Sequence, residues 1–199
     1  MNRPSILRTT AALALSTLVA VIAAGPAPAA PPAGGAAPGS ARGPLAATVG
    51  HDHPQVLSVG GAGVYRIGAS LAALTAAGRI DWTAPGCDGV VHTGVTGSWA
   101  GVLLLAFRAG RLVEIGTATA PPQSPAGARV GMSFAELEAI YGPRGSLIRN
   151  DAGDAEAYLV RVGSRVELFT GHPIRPGVGY FQVGLASFVE RNFRQGSAC

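Results

Sequence analysis

The sequence contains no lysine, only two cysteines, few aromatic residues and no apolar run long enough to cross a membrane. All 15 basic residues are arginine, and aromatic residues make up 6% of the 199 positions. The arginines are scattered, whereas nucleic-acid binding requires a clustered basic patch. The longest apolar run, Ala11 to Ala24, has 14 residues, fewer than the roughly 18 to 20 that span a bilayer. We therefore expect no nucleic-acid partner and no transmembrane anchor in the mature chain.

The N-terminus has the three parts of an export signal. Arg3 and Arg8 precede the apolar run, and Ala27-Pro28-Ala29 supplies the small residues of a cleavage site. We predict a signal peptide over residues 1–29 and a secreted, extracellular protein, either released or associated with the cell wall. Cleavage leaves 13 arginines against 11 acidic residues, a net charge of +2. An acidic partner is not implied by so small a charge.

Composition divides the rest of the chain in two. Residues 30–58 consist largely of Pro, Ala and Gly with almost no large apolar side chain, which is typical of a disordered tether. Residues 59–199 are long enough to bury a proper core. We predict one folded domain there, made of repeat 1 (about 59–120) and repeat 2 (about 121–199).

The two cysteines, Cys87 and Cys199, are expected to form a disulfide. An exported chain enters an oxidising compartment, and an even cysteine count favours pairing. The chain has no Cys-x-x-Cys sequence, and no neighbouring His or Arg that would lower a thiol pKa. A structural bond that holds the C-terminus to the first repeat is therefore favoured over a redox or nucleophilic role.

A short motif occurs at residues 67–74 and again at residues 130–137. In the second copy Ser133 is a good N-cap, and Glu136 three residues later completes a capping box. Gly142 then supplies a left-handed cap where the helix ends. In the first copy Ser70 and Gly78 take the same positions without the capping Glu, which predicts a weaker helix.

Each helix is followed by a segment that predicts a hairpin, at residues 107–115 and 160–168, because a glycine interrupts two stretches of alternating apolar residues. Further strands are predicted at Val90–Thr93, Ser146–Arg149 and Gly179–Val183, and again near Ser187–Val189. The resulting expectation is an α+β fold of two tandem repeats, each a short helix followed by three to four antiparallel strands. The helices are expected to pack on one face of the sheet.

The pattern Gly131-Met132-Ser133-x-x-Glu136-Leu137, a short helix ending in Tyr141-Gly142-Pro143, and then antiparallel strands resembles the repeat unit of the β-lactamase inhibitory protein family. It is also similar to the small outer-membrane lipoprotein A unit of the barrel-assembly machinery. The resemblance covers the whole predicted folded part in two copies. It implies a secreted, non-catalytic protein whose exposed sheet surface binds another protein.

Metal and enzyme sites have weak candidates. His51, Asp52 and His53 form a compact triplet of the kind that captures Cu²⁺ or Zn²⁺, but in a tether nothing rigid would support catalytic geometry. Asp151, Asp154 and Glu156 lie around Gly153, without the spacing of a helix-loop-helix Ca²⁺ site. We therefore expect no metal and no cofactor.

A hydrolase would need a nucleophile and a base. No Gly-x-Ser-x-Gly elbow occurs, and Ser70 and Ser133 are explained as helix caps. His92 and His172 are isolated in strand or turn contexts and are interpreted as structural. An extracellular hydrolase stays an alternative that would require these histidines or the acidic loop to converge in a cleft.

The function that these observations favour is a secreted, non-catalytic protein-binding module of unknown target, one form of which is an inhibitor of a secreted enzyme. Trp82 and Trp99 are the candidate contact residues if they are exposed, because large flat side chains dominate interface energies. An envelope-associated structural or assembly protein is the alternative, since the tether could span a cell wall.

Overall fold

The computed structural model describes residues 55–197, and the largest element there is one antiparallel sheet. Its eight strands are β3 (Ile80–Pro85), β4 (Val90–Val95), β5 (Leu104–Arg108), β6 (Arg111–Thr117), β7 (Gly145–Arg149), β8 (Glu156–Val162), β9 (Arg165–Gly171) and β10 (Val178–Leu185). A separate two-stranded sheet consists of β1 (Gly61–Ala62) and β2 (Tyr65–Arg66). Three short helices complete this part of the chain, namely α1 (Leu71–Ala76), α2 (Phe134–Tyr141) and α3 (Val189–Arg194).

The order of the large sheet is β3-β4-β5-β6-β10-β9-β8-β7. Neighbouring strands in sequence form hairpins on each side, and the two groups of four meet where β6 pairs with β10. Phe181 lies opposite Thr117 and Gly184 opposite Glu114 in that pair. The pairing joins all eight strands into one continuous sheet.

The sheet has a core on each face, because successive side chains of a strand point to opposite sides. On one face Leu105 and Phe107 pack with Leu74 of α1 and Leu137 of α2. On the other face a second cluster contains Val113 and Leu168 together with Phe188 and Val189 at the start of α3. Both faces of the central strands are thus partly covered by other elements.

The predicted α+β fold of two tandem helix-plus-strand repeats is wrong. The structure is mostly β, with one large sheet and helices of six, eight and six residues. The strands of residues 59–120 and those of residues 121–197 share one sheet, because β6 pairs with β10. The segment near Ser187–Val189, predicted as a strand, leads into α3, and α3 lies on the opposite face from α1 and α2. The helices therefore do not share one face.

The helix ends show the local geometry that capping residues create. Ser133 accepts a hydrogen bond from the Glu136 backbone, and the Glu136 carboxylate accepts from the Ser133 backbone. This interaction lowers the pKa of Glu136, first through the Ser133 backbone N–H. Gly142 follows with φ of 51°. At α1, Ser70 accepts from the Ala73 backbone N–H, and Gly78 has φ of 64°.

A Ser133→Ala variant should lower the free energy of unfolding by about 1 kcal/mol, the usual loss for an N-cap serine. Ser70→Ala is the matched control and should have a smaller effect, because its bond from the Ala73 N–H is 3.4 Å long and no capping box supports it. Urea denaturation of both variants checks this. Equal losses would contradict the role assigned to the capping box.

The fold begins before the expected end of the tether. Leu57 is fully buried, and its backbone N–H donates to the Gln123 carbonyl. Val56 forms a bridge with Gln123 as well. The boundary predicted at residue 58 therefore lies inside the fold. The predicted signal peptide and residues 30–54 lie outside the described residues, so both stay predictions. Between residues 55 and 197, no helix has the length and apolar character needed to cross a bilayer.

Candidate functional site

A cavity of about 530 Å³ lies between the sheet and α3, and small residues on the central strands leave room for it. Glu114 of β6 has Ala106 opposite it on β5 and Gly184 opposite it on β10. Directly opposed residues are the closest side-chain neighbours in an antiparallel sheet. Because neither neighbour has a long side chain, the half-buried Glu114 side chain faces the cavity beneath α3.

Two aromatic rings lie on glycines of the same face. A methyl group at Gly94 would lie 2.2 Å from Nε1 of Trp82, and one at Gly116 would lie 2.0 Å from the hydroxyl of Tyr180. Each ring therefore rests directly on backbone that a larger residue would occupy. Trp82 and Tyr180 line opposite parts of the cavity, which lies between them.

Helix α3 and the segment after it cover the cavity. Val189, Asn192 and Phe193 contribute from the helix, and Gly196 and Ser197 follow it. The remaining lining residues come from the sheet and from the β7–β8 connection: Trp82, His92, Leu104, Leu105, Ala106, Glu114, Asn150, Ala155, Thr170, Tyr180 and Gln182. The lining is a mainly apolar surface with a few polar groups, the usual character of a small-molecule site.

Glu114 carries the main electrostatic feature of the cavity. Burial raises the pKa of its carboxyl from 4.5 to about 7, because an enclosed carboxylate loses hydration. Within residues 55–197 the carboxyl has no hydrogen bond or ion pair. The pKa of Tyr180 is raised as well, first by burial and then by the charge of Glu114. The carboxyl and the phenol therefore lie close to each other in the cavity.

A second polar group in the lining also lacks a partner. Thr170 Oγ1 on β9 is buried and makes no hydrogen bond among the described residues, although buried polar atoms are nearly always bonded. Thr170 lies opposite Tyr180 in the β9–β10 pair. Thr170 Oγ1 is too deeply buried to meet an added molecule, whereas the half-buried Glu114 carboxyl is open to one.

Glu167 is a buried carboxyl that, unlike Glu114, accepts a hydrogen bond from within the protein. Glu167 lies on the α2 side of the sheet, where the Tyr141 hydroxyl donates to it and Ser124 Oγ lies 2.7 Å from that hydroxyl. Burial raises the pKa of Glu167 and the bond from Tyr141 opposes the rise. Glu167 has a hydrogen-bond partner within the protein, and this network joins α2 to β9.

The two tryptophans that the sequence analysis gives as candidate contact residues differ in exposure. Trp82 is 44% exposed and lines the cavity, and Leu104, 45% exposed, lines it as well. Trp99 is half-buried and packs against the core on the other face. Only Trp82 therefore meets the condition of exposure.

The other candidate residues do not converge. His92 lines the cavity, whereas His172 accepts from the Ile174 backbone N–H and lies 3.1 Å from Arg175. Cys87 is in a short turn between β3 and β4. His51, Asp52, His53 and Cys199 lie outside the described residues, so the metal triplet and the Cys87–Cys199 disulfide stay predictions. No group of three His, Cys, Asp or Glu side chains in residues 55–197 could hold a metal ion.

The acidic loop is held by its own contacts. Asn150 donates to the Asp154 carboxylate and accepts from the backbone of Asp154 and Ala155. Glu156 pairs with Arg149 across the base of the β7–β8 hairpin. These bonds shape the hairpin loop.

Sequence analysis missed Glu114, Thr170, Tyr180 and Gln182. Glu114 stands between Val113 and Ile115 in a predicted strand, and the alternation pattern indicates a solvent-facing residue there. One signal could have marked the site: glycines repeat on the strands around it, at positions 94, 116 and 184, and glycine inside a strand often marks a close approach.

Comparison with known proteins gives no family. No protein-family model matches the chain, and no curated protein sequence matches it. Two solved structures are distantly similar. One is a cysteine-rich secretory protein from Staphylococcus aureus, with 12% identity and a TM-score of 0.38 over 62% of this chain and 44% of that one. The other is an extracellular protein containing an SCP domain from Bacillus anthracis, with 11% identity and a TM-score of 0.43 over 65% and 46%. The chain thus spans less than half the length of either protein, and TM-scores this low do not establish a shared fold.

Proposed function

We propose that the protein is a non-catalytic binding module and that the cavity between the sheet and α3 is its binding site for a small molecule with an apolar body. The observation that carries this proposal is the half-buried Glu114 carboxyl, which has no partner among residues 55–197 and lines a cavity of about 530 Å³. Ligand sites commonly measure about 300 to 1,000 Å³ and combine apolar walls with a few polar groups.

The energetics of the lining support a ligand. Glu114 is half-buried and has no hydrogen-bond partner among residues 55–197, so a ligand that donates to its carboxylate would add a hydrogen bond worth roughly 0.5 to 3 kcal/mol. Trp82, Leu104 and Phe193 supply apolar surface beside it. A molecule that covers this apolar surface and bonds to Glu114 would gain both contributions.

A cavity-filling variant tests the proposal. In a Trp99→Phe background the emission of Trp82 reports on the cavity alone, and small ring compounds bearing one polar group serve as probes. We expect saturable changes in emission, with affinity reduced at least about tenfold, or roughly 1.4 kcal/mol, by Ala106→Leu.

Ala76→Leu adds the same volume on the exposed face of α1 and should leave probe affinity unchanged. Thermal melts establish that all variants are folded. If no probe gives saturable binding, or if Ala106→Leu and Ala76→Leu behave alike, the cavity is not the binding site.

A protein partner is the second candidate, as the resemblance to the inhibitor family implies. Trp82 and Leu104 are both exposed and adjacent on the sheet, because Trp82 lies on Gly94 and Gly94 is opposite Leu104. This apolar rim could contact another protein, including a secreted enzyme. Comparing wild-type and Trp82→Ala protein as bait against the secreted fraction tests it, and equal recovery of every captured protein would count against this candidate.

A further inference from the structure

The charges of the cavity narrow the class of ligand. Glu114 is the one acidic residue among its lining residues, and no arginine from the described part of the chain lines it. A carboxylate or phosphate ligand would therefore meet a negative group and no positive one. Such a site disfavours anions and attracts either a cation or a neutral hydrogen-bond donor.

The hydrogen-bonding groups of the cavity distinguish a cationic ligand from a neutral hydrogen-bond donor. The Glu114 carboxylate accepts hydrogen bonds, and the hydroxyl of Tyr180 also has an oxygen that accepts. Hydrogen bonds to an ionised group are roughly twice as strong as those between neutral groups. The half-buried carboxylate has lost part of its hydration during folding, so a cation arriving there gains attraction at a smaller cost in removing the carboxylate from water.

Aromatic rings line the space in which a cation bound to Glu114 would lie. Trp82 and Tyr180 lie on Gly94 and Gly116, and Phe193 lines the same space from α3. The face of an aromatic ring attracts a cation within about 6 Å of its centre. The rings and the carboxylate together provide both a charged partner and a cation-compatible wall.

We propose that the ligand of this cavity is an organic cation, a protonated primary amine on an apolar body, with its ammonium group on Glu114 and its body against Trp82, Leu104 and Phe193. This inference rests on the proposed function and names its ligand class.

The test uses three probes with the same ring: cyclohexylmethylamine, cyclohexylmethanol and cyclohexanecarboxylate. At pH 8 the amine should bind wild-type protein at least about tenfold more tightly than the alcohol, in line with the greater strength of charge-assisted bonds. The carboxylate should bind most weakly. Glu114→Gln should remove the preference for the amine, and Glu138→Gln, an exposed position on α2, should keep it.

The preference should also disappear at pH 5, where Glu114 is protonated. The other ionisable groups that line the cavity are His92 from β4 and Tyr180 from β10, whereas α3 contributes Val189, Asn192 and Phe193. A His92→Gln variant that keeps the same pH dependence assigns the effect to Glu114.

The outcomes separate this inference from the proposed function. If the alcohol binds as tightly as the amine, or if Glu114→Gln keeps the preference, the cation proposal is wrong while the cavity stays a binding site. If none of the three probes binds wild-type protein, both the ligand class and the proposed site are overturned for molecules of this size.

Discussion

Replacing Glu114 by Gln should stabilise the protein by about 3 kcal/mol at pH 9 and leave its stability nearly unchanged at pH 4. The carboxyl has a folded-state pKa of about 7 against an ordinary value of 4.5. Between those values the folded protein holds a proton that the unfolded chain has released. The free energy of unfolding therefore falls as the pH rises from about 4.5 to 7, and each pKa unit corresponds to about 1.4 kcal/mol.

The Glu114→Gln variant would lack the group that titrates, so the difference between variant and wild type should grow over that pH window and then stay constant. Guanidinium denaturation at pH 4, 6 and 9 measures it. Glu167, whose pKa burial also raises, is present in both proteins and cancels from the difference. Glu138→Gln is the control on the other side of the sheet. A difference between Glu114→Gln and wild type that does not vary with pH would show that the carboxyl is hydrated rather than enclosed.

Gly184→Ala should lower the free energy of unfolding by about 3 kcal/mol, the upper end of the usual range for overpacking. A methyl group there would lie 2.2 Å from the Val113 carbonyl oxygen and 2.8 Å from Val189. The carbonyl belongs to the β6 backbone, which cannot move away without disturbing the pairing of Gly184 with Glu114. The destabilisation would arise at the β6–β10 pair, where the two groups of four strands join.

Gly171→Ala is the matched control, because a methyl group at that strand residue would meet its nearest neighbours at 3.5 Å, an ordinary contact. We expect Gly171→Ala to change stability much less than Gly184→Ala. Urea denaturation of the two variants compares them directly. Similar losses would mean that the β6–β10 junction tolerates a wider separation than the structure shows.

Features encoded within a few residues could be read from the sequence. The Ser133–Glu136 box is local, and the structure has α2 beginning at Phe134. Strands β4, β7 and β10 cover the segments that alternation and flanking turns indicated. In each case neighbours in sequence supply the hydrogen bonds or the pattern, so no knowledge of distant contacts is needed.

Features that depend on distant pairing could not be read in this way. The β6–β10 junction brings Gly184 beside Glu114, and no local pattern specifies it. Short apolar segments do not distinguish a strand from a buried helix, which is why the segment before α3 was predicted as a strand. The motif at residues 67–74 and 130–137 predicts where two helices begin. It carries no information on how the strands pair.

The candidate site was hidden for a related reason. A cavity depends on which side chains are small, here at Ala106 opposite Glu114, and that position matters only once the strands are paired. A charged residue between Val113 and Ile115 carries no signal that another element covers it. Helix α3 lies over that face, so Glu114 is half-buried in the cavity.

The most direct test of the central claim is a titration of isotope-labelled protein with cyclohexylmethylamine at pH 8, followed by amide NMR. The account predicts saturable shifts centred on Ala106, Glu114, Gly116 and Gln182 and extending to Phe193 on α3, with loss of those shifts in Ala106→Leu. Shifts centred instead on α2 and the Tyr141–Glu167 network, or no saturable shift at all, would contradict the assignment of this cavity as the binding site.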